Sequence, residues 1–330
     1  MTAKRSIKKR LKQLRRRFMD PVAATAFGGG LWLVGWLGES GVDRLARLAA
    51  WALRIGSRQM RVTVTANLAL AFPEKTREEQ RAIARASFYH MARNAIEFFR
   101  AMRSPERVAE CVDMESVATC GVVSELAATE QPAMVVMPHL GNWELLGLAG
   151  SFSGMKVSAV AHPLRNGSID ARVTAAREAH GLQIVCSEGA VAGLRQAARA
   201  GRILVLIMDQ NTRTDEGGAF VDFFGLPVTM TRAPSVLARR LRLPVAAAAC
   251  VREGGRYRLV SELICRDARE FPSDQDLLQE LAHANERLIR AYPEQYIWCY
   301  KRWRYLPPQA DEALQAKYPF YARPYDGRAR

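Results

Sequence analysis

Among the 330 residues there is no C-x-x-C pair, no glycine-rich phosphate loop ending in Lys-Ser/Thr, no G-x-S-x-G elbow and no H-E-x-x-H helix. Without them the usual nucleotide-binding, serine-hydrolase and zinc-protease readings lose their anchor. The six cysteines, Cys111, Cys120, Cys186, Cys250, Cys265 and Cys299, are widely scattered and mostly flanked by apolar residues. That pattern reads as reduced core thiols in a body facing the cytosol and argues against structural zinc; no metal and no cofactor is expected. Negative charge is missing from residues 1–17, which hold nine Lys or Arg, so the net charge of +15 leaves only +6 for the rest of the chain. A full-length apolar run is missing too. The uncharged stretch 21–38, PVAATAFGGGLWLVGWLG, has eighteen residues of which five are glycine, short of the roughly 20 apolar residues that cross a bilayer as a helix. No small-x-small cleavage site clearly follows it, which disfavours a cleaved signal peptide.

What is present is an ordinary globular composition, 49% apolar and 25% charged, enough to bury one large core. Beyond the basic, apolar start, Arg44, Arg47, Arg54, Arg58 and Arg61 fall on one arc of a single helix and Leu45, Ala49 and Leu53 on the other side. A helix of this kind lies on an anionic membrane surface, or packs on the core with a solvated basic face. Membrane lipids are the preferred partner. Nucleic acid is not expected, because no zinc spacing, aromatic RNA-binding signature or recognition helix accompanies the tail.

The body alternates strand-like and helical patterns. Apolar runs stand at 133–137, 156–161, 182–186 and 203–208, with helices starting near Trp143, at Ile169–His180 and at about 189–200, and glycines just past two of the helix ends. A hairpin turning at Glu253-Gly-Gly255 and a helix at 275–291 follow. The expected fold is α/β, a mostly parallel central sheet flanked by helices, with an N-terminal membrane-associated helical extension at 1–62 and a catalytic domain at 63–330.

Such a sheet presents its reactive groups beyond the carboxyl ends of its strands. His139 lies two residues past the first run, and Asp209-Gln210 directly follow the run 203–208. The segment PHLGNWELLG also sets Glu144 five positions after His139. On a continuous helix that spacing aims the two side chains about 140° apart. Gly141-Asn142 removes the objection: with His139 in a turn and a helix starting near Asn142, Glu144 folds back to one imidazole nitrogen and leaves the other as a base. A buried structural histidine is the alternative reading.

HLGNWE resembles the H-x4-D/E block of the glycerolipid acyltransferases, and in particular the bacterial lipid A biosynthesis acyltransferases that add lauroyl or myristoyl chains. NLALAFPEKTREEQ, LRNGSIDARVTAAREAHG, MDQNTRTDEGGAFVDFFGLPVTMTRAPSVLAR and YPEQYIWCYKRWR resemble further blocks of that family, in its order, over about residues 65–305. Two departures touch the acceptor. Ala161-His162 stand where the family commonly has Tyr-Arg, and Tyr300 replaces a His of the last block.

The resemblance implies transfer of a fatty acyl group from acyl carrier protein or acyl-CoA to a hydroxyl of a glycolipid, most simply a lipid A precursor, at the cytoplasmic face of the inner membrane. It makes His139 and Glu144 the catalytic pair and Asn142, Arg165, Asn166, Arg177, Asp209 and Gln210 substrate-binding residues. Arg165, Arg177 and the backbone around Gly141 are candidates for holding the oxyanion, the arginines also for acceptor phosphates, and the basic ending of the last block joins them as an acceptor surface. Asp209 anchors Arg177 or the acceptor headgroup, or caps the following turn. Phe220, Phe223 and Phe224 line an acyl channel or simply fill the core. The alternatives are an acyl-CoA-dependent enzyme of another glycolipid or phospholipid, and an inactive glycolipid-binding scaffold.

Overall fold

The computed structural model describes residues 25, 28–30 and 33–325, apart from 105 and 120. The basic run 4–17 and residues 21–24, 26, 27, 31 and 32 of the apolar stretch therefore lie outside the described residues. Two helices, α1 (Glu39–Gly56) and α2 (Arg58–Ala71), lead into the long α3 (Arg77–Ala101), which starts at a capping box formed by Thr76 and Glu79. Three short helices, Glu106–Cys111, Met114–Thr119 and Gly121–Ala128, then bring the chain to the sheet.

Alternation then produces β1 (Ala133–Met137), α4 (Trp143–Phe152), β2 (Val157–Ala161), α5 (Gly167–Ala179), β3 (Gln183–Cys186), α6 (Ala190–Arg199) and β4 (Ile203–Ile207). A separate hairpin, β5 (Gly218–Phe223) and β6 (Leu226–Thr231), precedes α7 (Ala233–Leu241), β7 (Val245–Glu253), β8 (Arg256–Cys265) and α8 (Asp274–Ala291). The six-stranded sheet runs β3-β2-β4-β1-β7-β8 and is parallel throughout except for the last pair. The mostly parallel sheet and its closing hairpin agree with the sequence reading.

The strands are apolar on both sides because both faces are covered. Met134, Val136, Leu204 and Leu206 point into one core with α6, α7 and α8. Val135, Met137, Ile203 and Val205 point into the other, with α4, α5 and the end of α3. The β5–β6 hairpin was not legible as strands: its turn, Phe224-Gly225, has φ of 52° and 74°, and a phenylalanine is an unusual occupant of the left-handed region. The Phe224 amide is held by Glu286 at 2.6 Å and its ring lies beneath the Arg290 guanidinium. Phe223 and Phe224 are buried against Trp298 and Trp303, so they fill the core, with Phe220 half-buried beside Tyr325.

The single arginine-faced helix becomes two. The chain breaks at Ser57, so Arg58 and Arg61 belong to α2, and α1 turns Val42, Ala46 and Ala50 inward. Leu48, Trp51 and Ile55 are left exposed on one side of α1, since residues three, four and seven apart share a helix face. The helix is joined to the body by charge: Glu39 pairs with Arg93 and Arg252, and the Tyr89 hydroxyl donates to Asp43. The boundary drawn at residue 62 falls inside α2, whose Leu68 and Asn67 are buried in the body. No helix among the described residues is long and apolar enough to cross a membrane.

Candidate active site

Strands β1 and β4 pair in register, Met137 opposite Ile207, so the residues two beyond each end emerge side by side. They are His139 and Asp209. One carboxylate oxygen of Asp209 accepts the His139 backbone N–H at 3.0 Å, and the other lies 2.6 Å from Nδ1. An ionised carboxylate only accepts, so Nδ1 carries the ring proton and the Nε2 lone pair is free for a substrate proton. Gln210 lies at that nitrogen, its amide nitrogen 3.3 Å away.

Asp209 is buried while the His139 side chain keeps 19% of its surface, which decides their roles: the carboxylate is internal and the imidazole faces outward. Burial alone would lower the pKa of His139. The Asp209 charge and hydrogen bond, aided by Glu144, outweigh it and hold the imidazole above its ordinary value. Burial likewise pushes Asp209 up, but His139 and then Arg302 overcome this and keep it below the ordinary carboxylate range.

The expected His139–Glu144 pair is not what forms. Both Glu144 oxygens are taken by Arg177, Oε1 from Nη2 at 2.6 Å and Oε2 from Nε at 3.1 Å, and the Arg177 guanidinium also lies over the Phe98 ring. Helix α4 explains the geometry: Glu144 in its first turn projects toward α5, while the Trp143 ring meets His139 edge-on at 4.9 Å. Asp209 therefore holds the imidazole, neither anchoring Arg177 nor capping a turn, and Arg177 is spent on Glu144.

The turn that carries His139 is fastened on three sides. Gly141 has φ of +58° and a Cβ there would stand 2.0 Å from the Cys250 carbonyl oxygen, so only glycine fits. Its amide donates to Gln295, that of Asn142 to Cys250 and that of Leu140 to Pro138. Those three amides are thus committed, and the backbone around Gly141 is not an open oxyanion site. Asn142 is buried; its side chain caps Leu145 of α4 and donates to the Asn94 carbonyl. This expected substrate contact is a structural cap. Asn166 likewise caps α5 through Ser168 and Ile169. Arg165 stands exposed on the turn before it.

The C-terminal block lies beneath the site, contrary to its expected place on an acceptor surface. The Ile297 amide donates to the His139 carbonyl, and Tyr296, Trp298, Arg302 and Trp303 are all buried. The Tyr296 hydroxyl is pushed well above its ordinary range by burial and by the Asp209 charge. Asn94, whose side chain donates to the Gly141 carbonyl, Tyr296 and Arg302 escape sequence reading. An asparagine within an amphipathic helix and a basic aromatic tail look exposed until the packing is seen.

Beyond Gln210 a groove of about 600 Å³ opens along the carboxyl edge, lined by His162, Ser187, Leu194, Ile207, Gln210 and Asn211 among others. His162 and Ser187 meet there, Nδ1 to Oγ 2.9 Å. Among the described cysteines, Cys111, Cys250 and Cys265 are buried, Cys299 is half-buried and Cys186 is exposed, so the core-thiol reading fails for Cys186.

The model of the bacterial lipid A biosynthesis acyltransferases matches residues 11–305. The chain is similar to the lipid A biosynthesis myristoyltransferase of Escherichia coli (strain K12), 26% identical over 267 residues that cover 78% of this chain and 79% of that protein. It is also similar to lipid A biosynthesis acyltransferase 2 of Shigella flexneri, 24% identical over 263 residues covering 78% and 81%. With a match spanning nearly the whole described body, this chain is an acyltransferase that belongs to the bacterial lipid A biosynthesis acyltransferase family.

Proposed function

We propose that this enzyme moves a fatty acyl group from a thioester on acyl carrier protein to a hydroxyl of a lipid A precursor, with His139 as general base and Asp209 as its orienting carboxylate. Nε2 of His139 takes the proton of the acceptor hydroxyl as its oxygen attacks the thioester carbonyl. The tetrahedral adduct then collapses, the carbon–sulfur bond breaks, and the imidazolium returns the proton to the departing thiolate, leaving an ester and a free thiol. Asp209 stabilises the imidazolium in between, and positioned general-base help of this kind is worth about 10²–10⁴-fold in rate.

The observation that carries this reading is the 2.6 Å contact between His139 Nδ1 and Asp209, which leaves Nε2 on the side of Gln210, a residue that lines the groove. Gln210, whose amide nitrogen already stands at Nε2, turns its N–H to the developing oxyanion once a substrate intervenes. Arg177 and Glu144 brace α4 against α5 beside His139, and the exposed Arg165 meets acceptor phosphate.

The membrane partner is part of the same reading. Leu48, Trp51 and Ile55, exposed on one face of α1, enter an anionic bilayer surface alongside the basic N-terminus, setting the enzyme at the cytoplasmic face of the inner membrane. The test is to supply the purified full chain with a lipid A precursor and either acyl-carrier-protein or coenzyme A thioester, and to weigh the lipid product. Acylated product with the carrier-protein donor at a much higher kcat/KM supports the proposal. Product with coenzyme A alone overturns the donor assignment.

A further inference from the structure

An arginine seldom lies wholly inside a protein, because its charge loses hydration that only close partners replace. Arg302 is 1% exposed. One nitrogen, Nη1, donates to the Asn211 side-chain oxygen at 2.8 Å and to the Thr229 carbonyl at 3.0 Å. Nε and Nη2 find no acceptor among the described residues, and the guanidinium also lies over the Phe223 ring, 5.3 Å from its centre. A fold that fills its core with Trp298, Trp303 and Phe223 has no packing need for a cation at this point.

The position supplies a reason. Asn211, which fixes Nη1, is two residues beyond Asp209, and its own backbone amide is held by the Tyr300 hydroxyl at 3.0 Å. The buried carboxylate of Asp209 and the buried guanidinium act on one another electrostatically, and the same carboxylate raises the Tyr296 hydroxyl. Both groups are buried, and Arg302 adds to His139 in offsetting the burial of Asp209. The groups that face His139 are then Asp209 from the end of β4, the Glu144–Arg177 pair from α4 and α5, and, behind Asp209, Tyr296 and Arg302 from the C-terminal segment.

We propose that Arg302 is a positioning residue: clamped through Asn211, its buried guanidinium keeps the Asp209 carboxylate ionised and directed at Nδ1 of His139. It touches neither substrate nor reacting atoms and acts only through Asp209. The inference rests on the reading of His139 as base for its effect on rate, though not for its effect on the ring's proton affinity.

Replacing Arg302 by methionine leaves the Asp209 carboxylate less firmly ionised and aimed, so the imidazolium that it supports becomes harder to form. Nitrogen NMR of the His139 ring in the full-length protein should show its midpoint falling by about half a pH unit or more, and the acid limb of kcat/KM should move to lower pH with it. R302K should return both toward the parent values. If R302M does not fold, N211A, which frees the guanidinium without removing it, must move both in the same direction by less. Unmoved midpoint and limb in the variant that folds would overturn the proposal, leaving Arg302 a packing group. A midpoint that falls while the limb stays still upholds the Arg302–Asp209–His139 linkage and instead overturns His139 as the base, and a midpoint that rises overturns the proposal, because Arg302 would then act on His139 directly.

Discussion

Arg177 grips Glu144 at two points, 2.6 and 3.1 Å, at the edge of the site and within the electrostatic reach of His139. A two-point guanidinium–carboxylate pair that is only 15% and 23% exposed is strong enough to brace α4 against α5, and removing one partner leaves the other charge uncompensated. E144Q and R177M should each lower kcat/KM by roughly tenfold or more, and the double variant should be little worse than the poorer single one. A double-mutant cycle measures this as a coupling of about 1–3 kcal/mol. Strictly additive losses would mean that the two act separately, for instance with Arg177 on acceptor phosphate.

The pH dependence follows from the Asp209 contact. His139 serves as base only when neutral, and its pKa is held above the ordinary value of about 6.5. Activity should therefore fall on acidification through a midpoint above that value. D209N removes the charge that raises the pKa, so the limb should move to lower pH while the maximal rate drops about 10²–10⁴-fold. E144Q should move the limb the same way by less. A rate profile for D209N with its limb at the parent position contradicts the assignment.

Gly141 is the backbone requirement of the site. A methyl group there meets the Cys250 carbonyl oxygen at 2.0 Å, at a φ of +58°. G141A should cost about 2–4 kcal/mol of stability from left-handed strain and the displaced β7 backbone, read as a lowered Tm, and should cut activity further by moving His139. An unchanged Tm would show that the turn relaxes freely.

Legibility varied with the kind of interaction. The parallel sheet showed through because fully buried strands such as Ala133–Met137 are continuous apolar runs and the helices between them end at glycines. His139 and Asp209 were both found from their place just beyond such runs. Their partnership was not, because it depends on β1 and β4 lying side by side in register, across 70 residues of sequence, whereas Glu144 was near in sequence and attracted the assignment. The hairpin at Gly218–Thr231 was hidden by a phenylalanine in a conformation that favours glycine. The exposed apolar side of α1 was misplaced because a break at Ser57 divides what the arginine spacing presented as one helix.

The face of α1 gives a test that leaves the core alone. Leu48, Trp51 and Ile55 are 60%, 55% and 55% exposed, so changing all three to serine should alter Tm little. On flotation with vesicles rich in anionic phospholipid, the triple variant should lose most of the bound fraction, with the remainder falling as salt is raised. Undiminished flotation would place the membrane contact elsewhere in the chain.

The most direct test of the account is single-turnover acyl transfer by the purified H139A enzyme, followed by mass spectrometry of the lipid A precursor with acyl carrier protein as donor. Circular dichroism should match the parent, because the backbone carries the hydrogen bonds of the turn, with Tm lowered because the buried Asp209 loses its imidazole partner. The account requires the rate constant for acylated product to fall by at least about 10²-fold with acceptor binding retained. A rate within a few-fold of the parent would contradict His139 as the base.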